Sequence, residues 1–387
     1  MINLQDRRDC CGCTACASIC THNAISMEAD AMGFKYPVVD DSKCIDCGLC
    51  EKVCAFNENY DKSLNLQEPL AYGVRHKDMN EVATSRSGAA FIAISDWILD
   101  SGGVVYGAGY TDHFRVVHKR AITKEARNEF KGSKYVQSDM NDVFRQIKAD
   151  LKAGIKVLFS GTPCQVAGLS SFVGKKLREN LYLVDIVCHG VPAPNIWRDY
   201  LAYVEKKYND TAIAVDFRDK TELGWAAHKE SFTFSSKKVY RNTYTDLFYD
   251  HLMLRPSCER CYYTNLLRPS DITIADFWGW ERNKFYINSD NKGLSLIFCN
   301  TQKGVNLFKF SLDVLDYARA DIAESMYLQP NLRTPSSMHP DVLRFEKMYK
   351  KYGFQYVASH YRALGWRYLM KRLFKKTRTA IKILLKK

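Results

Sequence analysis

Cys10, Cys13, Cys16 and Cys20 are separated by two, two and three residues, and Cys44, Cys47, Cys50 and Cys54 repeat that spacing. In a C-x2-C-x2-C-x3-C run, three thiolates turn around one cubane while the fourth reaches across to a second one. The doubled run predicts two 4Fe-4S clusters, one on Cys10, Cys13, Cys16 and Cys54, the other on Cys44, Cys47, Cys50 and Cys20. Cys11 is then spare, a packed thiol. Paired C-x2-C spacings also serve tetrahedral zinc, but zinc leaves four of the eight thiols idle or needs two adjacent sites. Thr21 and Ala55 follow the fourth cysteines, where ferredoxins of this pattern carry proline.

Nine of the fourteen cysteines fall before residue 55, so the opening segment is a cysteine module on a larger chain of 387 residues. Hydrophobic residues make up 46% of the chain, a globular composition, and no stretch approaches the roughly 18 apolar residues of a membrane span. The start lacks the apolar run of a secretory signal, which makes the reducing cytoplasm the expected location and ligation the expected use of the thiols. The formal charge is +13, and residues 361–387 alone carry ten Lys or Arg and no acid. That tail has apolar residues at three-and-four spacing, predicting a basic amphipathic helix suited to an anionic membrane surface. The alternatives are packing on a partner or on the body. No recognition module accompanies it, so nucleic acid is not the expected partner.

Apolar runs at 71–75, 104–110, 156–161, 181–188, 271–277 and 294–300 read as strands, and helical patterns at 88–99, 141–152 and 195–207 lie between several of them. The alternation predicts an α/β body. The expected division is a two-cluster ferredoxin module over 1–57, a polar linker over 58–69, the body over 70–330 and a C-terminal extension over 331–387. Three strands end in residues with chemistry: Gly161, Thr162, Pro163 and Cys164; Cys188, His189 and Gly190; and Asp276, Trp278 and Gly279. Ligands of open α/β sheets bind outside the carboxyl ends of strands, so these loops are expected to converge.

At "FSGTPCQVAGL", "VDIVCHGVP", "LRPSCERC" and "RPSDITIADFWG" the sequence resembles the beta-subunit family of coenzyme F-420 (deazaflavin) hydrogenases and dehydrogenases. "ATSRSGAAF" (83–91) and "KGSKYVQS" (131–138) fit its longer members, and the resemblance runs from about residue 5 to about residue 320. It implies FAD beside an iron–sulfur cluster and leaves the substrate open, since the family includes methanogen enzymes, a chlorophyll-pathway reductase and bacterial members associated with surface-polysaccharide genes. This sequence looks most like the last group, and the deazaflavin itself is not assigned to it.

The resemblance also implies a third 4Fe-4S cluster on Cys164, Cys188, Cys258 and Cys261; the alternative is that these are packing residues. Cys299 ends an apolar strand and reads as core. FAD needs backbone donors, cations and small residues, which "SRSGA" offers as Ser85, Ser87 and Gly88 and "KGSKYVQS" as Lys131, Ser133, Lys134, Tyr135 and Gln137. No G-x-G-x-x-G fingerprint opens a strand-turn-helix unit, so a Rossmann site is not expected. His189 and Asp276 are candidates for proton transfer, and Gly161, Thr162 and Gln165 for contacts with the ring or a cluster sulfur. The expected activity is reduction of an organic substrate, such as a sugar or glycan precursor, with electrons from a ferredoxin or a reductase. The alternatives are an electron-transfer subunit serving a separate enzyme and a recruitment protein with structural clusters.

Overall fold

In a computed structural model of the chain, the residues described are 1–284 and 286–365. The basic helix expected over 361–387 lies, beyond residue 365, outside the described residues. The fold is mixed α/β, with thirteen strands in three sheets among the described residues.

Strands β1 (Ile25–Ala29) and β2 (Lys35–Val39) form an antiparallel hairpin in the cysteine module. There follow β3 (Asn65–His76), β4 (Val104–Thr111), β5 (Arg115–Ala121), β6 (Val157–Gly161) and β7 (Leu181–Ile186). Strands β8 (Ala214–Asp216), β9 (Glu230–Thr233) and β10 (Lys238–Arg241) make a small antiparallel sheet. Last come β11 (Ile272–Asp276), β12 (Ser295–Thr301) and β13 (Leu315–Arg319).

The large sheet has eight strands in the order β13-β3-β12-β11-β7-β6-β4-β5, with β4, β6, β7 and β11 parallel and antiparallel strands on both flanks. Its centre is apolar on both faces, as parallel strands covered twice must be. Val157 and Phe159 pack with Phe144 and Leu169 of helices Val143–Lys152 and Pro163–Val173. Leu158, between them, points the other way, onto Ile94 and Ile98 of helix Ala90–Asp100. The register pairs Gly161 with Asp185 and Ile274 with Ile186, so β6, β7 and β11 end at one edge.

One feature differs from the sequence reading. β3 begins at Asn65, inside the stretch expected to be a linker. The register slips between Cys299 and Thr301 of the facing strand, and the slip accommodates Pro69, which has no N–H to donate. The cysteine module has no core of its own. Met32, Phe34 and Tyr36 pack with Ile196, Trp197 and Tyr200, while Ala15, Val53 and Phe56 share a cluster with Phe144, Leu169 and Tyr263. Module and body bury their apolar side chains together in two shared clusters.

Candidate functional site

The cysteine module brings its two runs together crosswise. Cys54 neighbours Cys10, Cys13 and Cys16. Cys20 lines a small cavity with Cys44, Cys47 and Cys50. Each run turns through left-handed backbone, at Gly12 and Thr14 in the first and Gly48 in the second, before a short helix carries the next thiols. The Ile2 N–H donates to Cys50 Sγ at 3.2 Å and the Ala24 N–H to Cys20 Sγ at 3.3 Å, bonds of the kind that tune a cluster's potential. All fourteen cysteines are free of disulfides. Among the described residues no three His, Cys, Asp or Glu gather around a single-ion position, whereas a cubane takes one thiolate per iron.

A second group of thiols lies beside the first. Cys164 opens helix Pro163–Val173, whose start is fixed by a Thr162–Gln165 capping box. Cys188 follows β7, and Cys258 and Cys261 flank the end of the short turn Pro256–Arg260. Cys188 has Cys258, Cys164 and Cys261 as charge neighbours, so the four expected ligands are brought together. Burial pushes Cys258 up to about 12 and Cys261 up to about 11. The Cys11 thiol, helped by the Thr162 hydroxyl at 3.2 Å, holds Cys164 down to about 7. Cys11 is buried between Cys13 and Cys164, at the seam of the two groups.

At the carboxyl edge of the parallel strands lies a cavity of about 460 Å³, in the range of cofactor sites. Ser85, Ser87, Lys131, Ser133, Lys134, Tyr135, Gly161, Thr162, Gln165, His189 and Asp276 all line it, and so does Cys188. Gly88 and Gln137 stand apart. The Gly88 N–H donates to Ser295 Oγ at 2.9 Å, and a Cβ there would lie 2.3 Å from the Val74 carbonyl oxygen, so the residue seats the serine loop on the sheet. Gln137 donates to the Cys11 carbonyl and accepts from Arg255, both at 2.9 Å or less, beside the thiols rather than the cavity.

The cavity wall also holds residues the sequence reading did not single out, Arg86, His118, Arg218, His228 and Tyr249, together with Trp278 from the strand end at Asp276. Arg218 pairs with Asp276 at 2.5 Å, Arg86 approaches the same carboxylate at 3.8 Å, and the Trp225 indole donates to it at 3.0 Å. Burial opposes the charge of Asp276, but Arg218 and Arg86 hold its carboxyl down to about 2. Its chemistry is that of a fixed anion orienting two arginines. Trp278 stacks on Trp225 with ring centroids 4.2 Å apart, and His228 Nδ1 meets the Tyr249 hydroxyl at 2.6 Å.

Three histidines have readable tautomers. His251 Nδ1 faces the Ser337 carbonyl at 2.5 Å and so carries its hydrogen there, which leaves Nε2 to accept from His189 Nε2 at 2.7 Å. Burial and the His251 neighbour hold His189 down to about 4. His118 Nε2 bonds the Ser160 carbonyl at 3.0 Å, and burial holds that ring down to about 4, so Nδ1 is an acceptor.

The wall is polar without being satisfied. Ser85 Oγ, Arg86 Nε, His118 Nδ1 and Arg218 Nε are buried and have no hydrogen-bond partner. Four such atoms on one cavity fit a polar, partly anionic ligand, because unpaired buried groups are rare in folded chains. Small residues along the wall, among them Ser87, Ala108, Gly132, Ser133 and Gly161, leave room for a flat ring to approach the backbone.

Two family models match the chain. Residues 9–57 match one described as a 4Fe-4S dicluster domain, and residues 154–319 match one that describes the C terminus of the coenzyme F420 hydrogenase/dehydrogenase beta subunit. No curated protein matches. Among solved structures, a chain of the F420-reducing NiFe hydrogenase complex from Methanosarcina barkeri aligns at 14% identity, over 77% of this chain and 92% of that one, with a TM-score of 0.46. No helix of the described residues is long and apolar enough to cross a membrane. The chain is thus an iron–sulfur protein: its N-terminal segment is a 4Fe-4S dicluster domain, and the segment bearing Cys164, Cys188, Cys258 and Cys261 is related to the C-terminal region of the beta subunits of coenzyme F420 hydrogenases and dehydrogenases.

Proposed function

We propose that the chain is an iron–sulfur flavoprotein oxidoreductase that takes electrons from a ferredoxin or a reductase and reduces an organic substrate. FAD in the cavity and a third 4Fe-4S cluster on Cys164, Cys188, Cys258 and Cys261 would supply the redox chemistry, since a flavin exchanges single electrons with clusters and electron pairs with substrates. The observation that carries this reading is the cavity itself: four unpartnered polar atoms on a wall that includes Cys188.

Each residue then has a part. Ser85, Ser87, Lys131, Ser133 and Lys134 hold the anionic end of the cofactor, and Gly161, Thr162 and Gln165 border the ring and the Cys164 sulfur. Asp276 keeps Arg218 and Arg86 aimed into the cavity. His189, hydrogen-bonded to His251, holds a proton at Nε2 beside the aromatic wall of Phe248 and Tyr249. The substrate is a sugar or glycan precursor of surface-polysaccharide synthesis, delivered at an anionic membrane surface.

FAD titration of the cluster-loaded chain, followed by flavin fluorescence, tests the site. Saturable quenching at one flavin per chain is expected, weakened at least tenfold in Arg86→Met. No binding in the parent chain contradicts the reading. The family description as a subunit favours one second reading, an electron-transfer subunit whose substrate chemistry lies elsewhere. Substrate turnover by the isolated chain separates the two.

A further inference from the structure

Five arginines of the described residues are almost completely buried. Four have a carboxylate: Arg75 with Asp290 at 2.7 Å, Arg127 with Asp96 at 2.6 Å, Arg218 with Asp276 at 2.5 Å and Arg268 with Asp185 at 3.0 Å. Arg255, 1% exposed, has none among the ion pairs of the described residues. Its Nε donates to the Cys10 carbonyl at 2.8 Å, Nη1 to Gln137 Oε1 at 2.8 Å, and Nη2 to the Lys35 carbonyl at 2.9 Å. Nη2 also lies 3.7 Å from Cys10 Sγ. Tyr36 and Phe34 cover the guanidinium with ring centroids at 4.3 and 5.5 Å. Neutral acceptors satisfy the N–H groups and leave the charge itself without a counterion, which is costly away from water.

The guanidinium thus faces a thiol of the dicluster domain, and the Arg255 carbonyl accepts the Cys258 N–H at 2.9 Å, which seats Arg255 at the base of the turn Pro256–Arg260 that carries a thiol of the body. The chain is shaped to bring the guanidinium there. Gly12 has a φ of +70°, and a Cβ on it would lie 2.8 Å from Nη1, so the first cysteine loop is closed directly onto Arg255.

We propose that Arg255 is the fixed countercharge of the electron relay, a positioning residue that raises the reduction potential of the first cluster of the dicluster domain and of the cluster in the body. A thiolate-ligated cubane is an anion that gains one more negative charge on reduction, so a buried cation favours its reduced form. Because Arg255 borders both thiol groups, it attracts the transferred electron on either side, and the step between them stays close to level. The part concerning the body cluster rests on the third cluster proposed above; the part concerning the first cluster does not.

Redox titration of the cluster-loaded full chain, followed by electron paramagnetic resonance, tests the assignment. Arg255→Gln should shift the reduction equilibrium of the first cluster at least tenfold toward the oxidised form, which is about 59 mV for one electron, with iron content unchanged. Arg255→Lys, which keeps the charge, should stay near the parent potential. Unchanged potentials in Arg255→Gln overturn the proposal, as does an equal fall in Arg255→Lys. Should Arg255→Gln load too little iron to titrate, Arg255→Lys decides: full iron at the parent potential upholds the role of charge, and loss of iron there too leaves Arg255 a structural clamp. A shifted first cluster with no signal from a body cluster upholds Arg255 and removes the third cluster.

Discussion

A side chain at Gly168 would collide with Cys13, since a Cβ there would lie 2.6 Å from the Cys13 sulfur. The bare face of helix Pro163–Val173 therefore lets a ligand of the dicluster domain lie against the same helix that Cys164 opens. Gly168→Val should displace Cys13, cost about 1–3 kcal/mol in stability by overpacking, and deplete iron from the first cluster. Iron analysis with denaturant unfolding of the loaded chain checks it; full iron at parent stability contradicts the packing account.

The four thiols of the body give a stoichiometric expectation. Cys258→Ala or Cys164→Ala should lower iron by about four atoms per chain, the content of one cubane, and leave the dicluster signals in place. Cys11→Ser should leave iron unchanged, because Cys11 is buried at the seam and lies outside both spaced runs. Loss of all iron in Cys258→Ala would mean that the body cysteines act through folding alone.

Lys134 gives the site a pH signature. Burial, opposed by the nearby Glu129 and Asp216, holds its ammonium down to about 7 from an ordinary 10.5. Between those values the unfolded chain binds the proton and the folded chain does not, so stability rises with pH; below about 7 both states are protonated and the penalty is complete. Lys134→Met should be more stable than the parent below about pH 7, and the difference should fade toward pH 10.5. Added FAD should flatten the parent's slope, since phosphate supplies the missing counterion. Denaturant unfolding across that window, with and without FAD, reads both effects.

Arg218 and Asp276 form a buried pair, and breaking one side strands the other. Arg218→Met should destabilise the chain by about 3–5 kcal/mol. Arg218→Met combined with Asp276→Leu should recover much of that loss while still abolishing FAD binding. Recovery of binding in the double variant would place the ligand elsewhere.

The cysteine runs were legible because a cubane dictates a spacing that is local in sequence, and the strand ends were legible because parallel strands buried on both faces read as apolar runs. Asn65–Pro69 was hidden by its polar residues and its proline, which the register slip opposite Cys299 and Thr301 tolerates. Arg218 and His228 come from the region of the small sheet, whose short strands carry no motif, and they reach Asp276 and Tyr249 only through tertiary packing. Arg255 stands three residues before Cys258, yet its acceptor on Cys10 lies 245 positions away. No local pattern announces such a contact.

The basic residues beyond Gly365 predict binding to acidic lipid, at about 1 kcal/mol per Lys or Arg near the surface. A chain ending at Gly365 keeps the buried Ala363 and Leu364, and should lose sedimentation with anionic vesicles at low salt. Equal pelleting of both chains would assign the tail to a protein contact.

The central claim, three clusters and a flavin in one chain, is tested most directly by quantifying iron, acid-labile sulfide and flavin in anaerobically isolated protein. The account predicts about twelve iron and about twelve sulfide with about one flavin per chain, as three cubanes beside one FAD require. Iron and sulfide near eight with no flavin, before and after FAD is supplied, would contradict it and leave the dicluster domain as the chain's whole redox equipment.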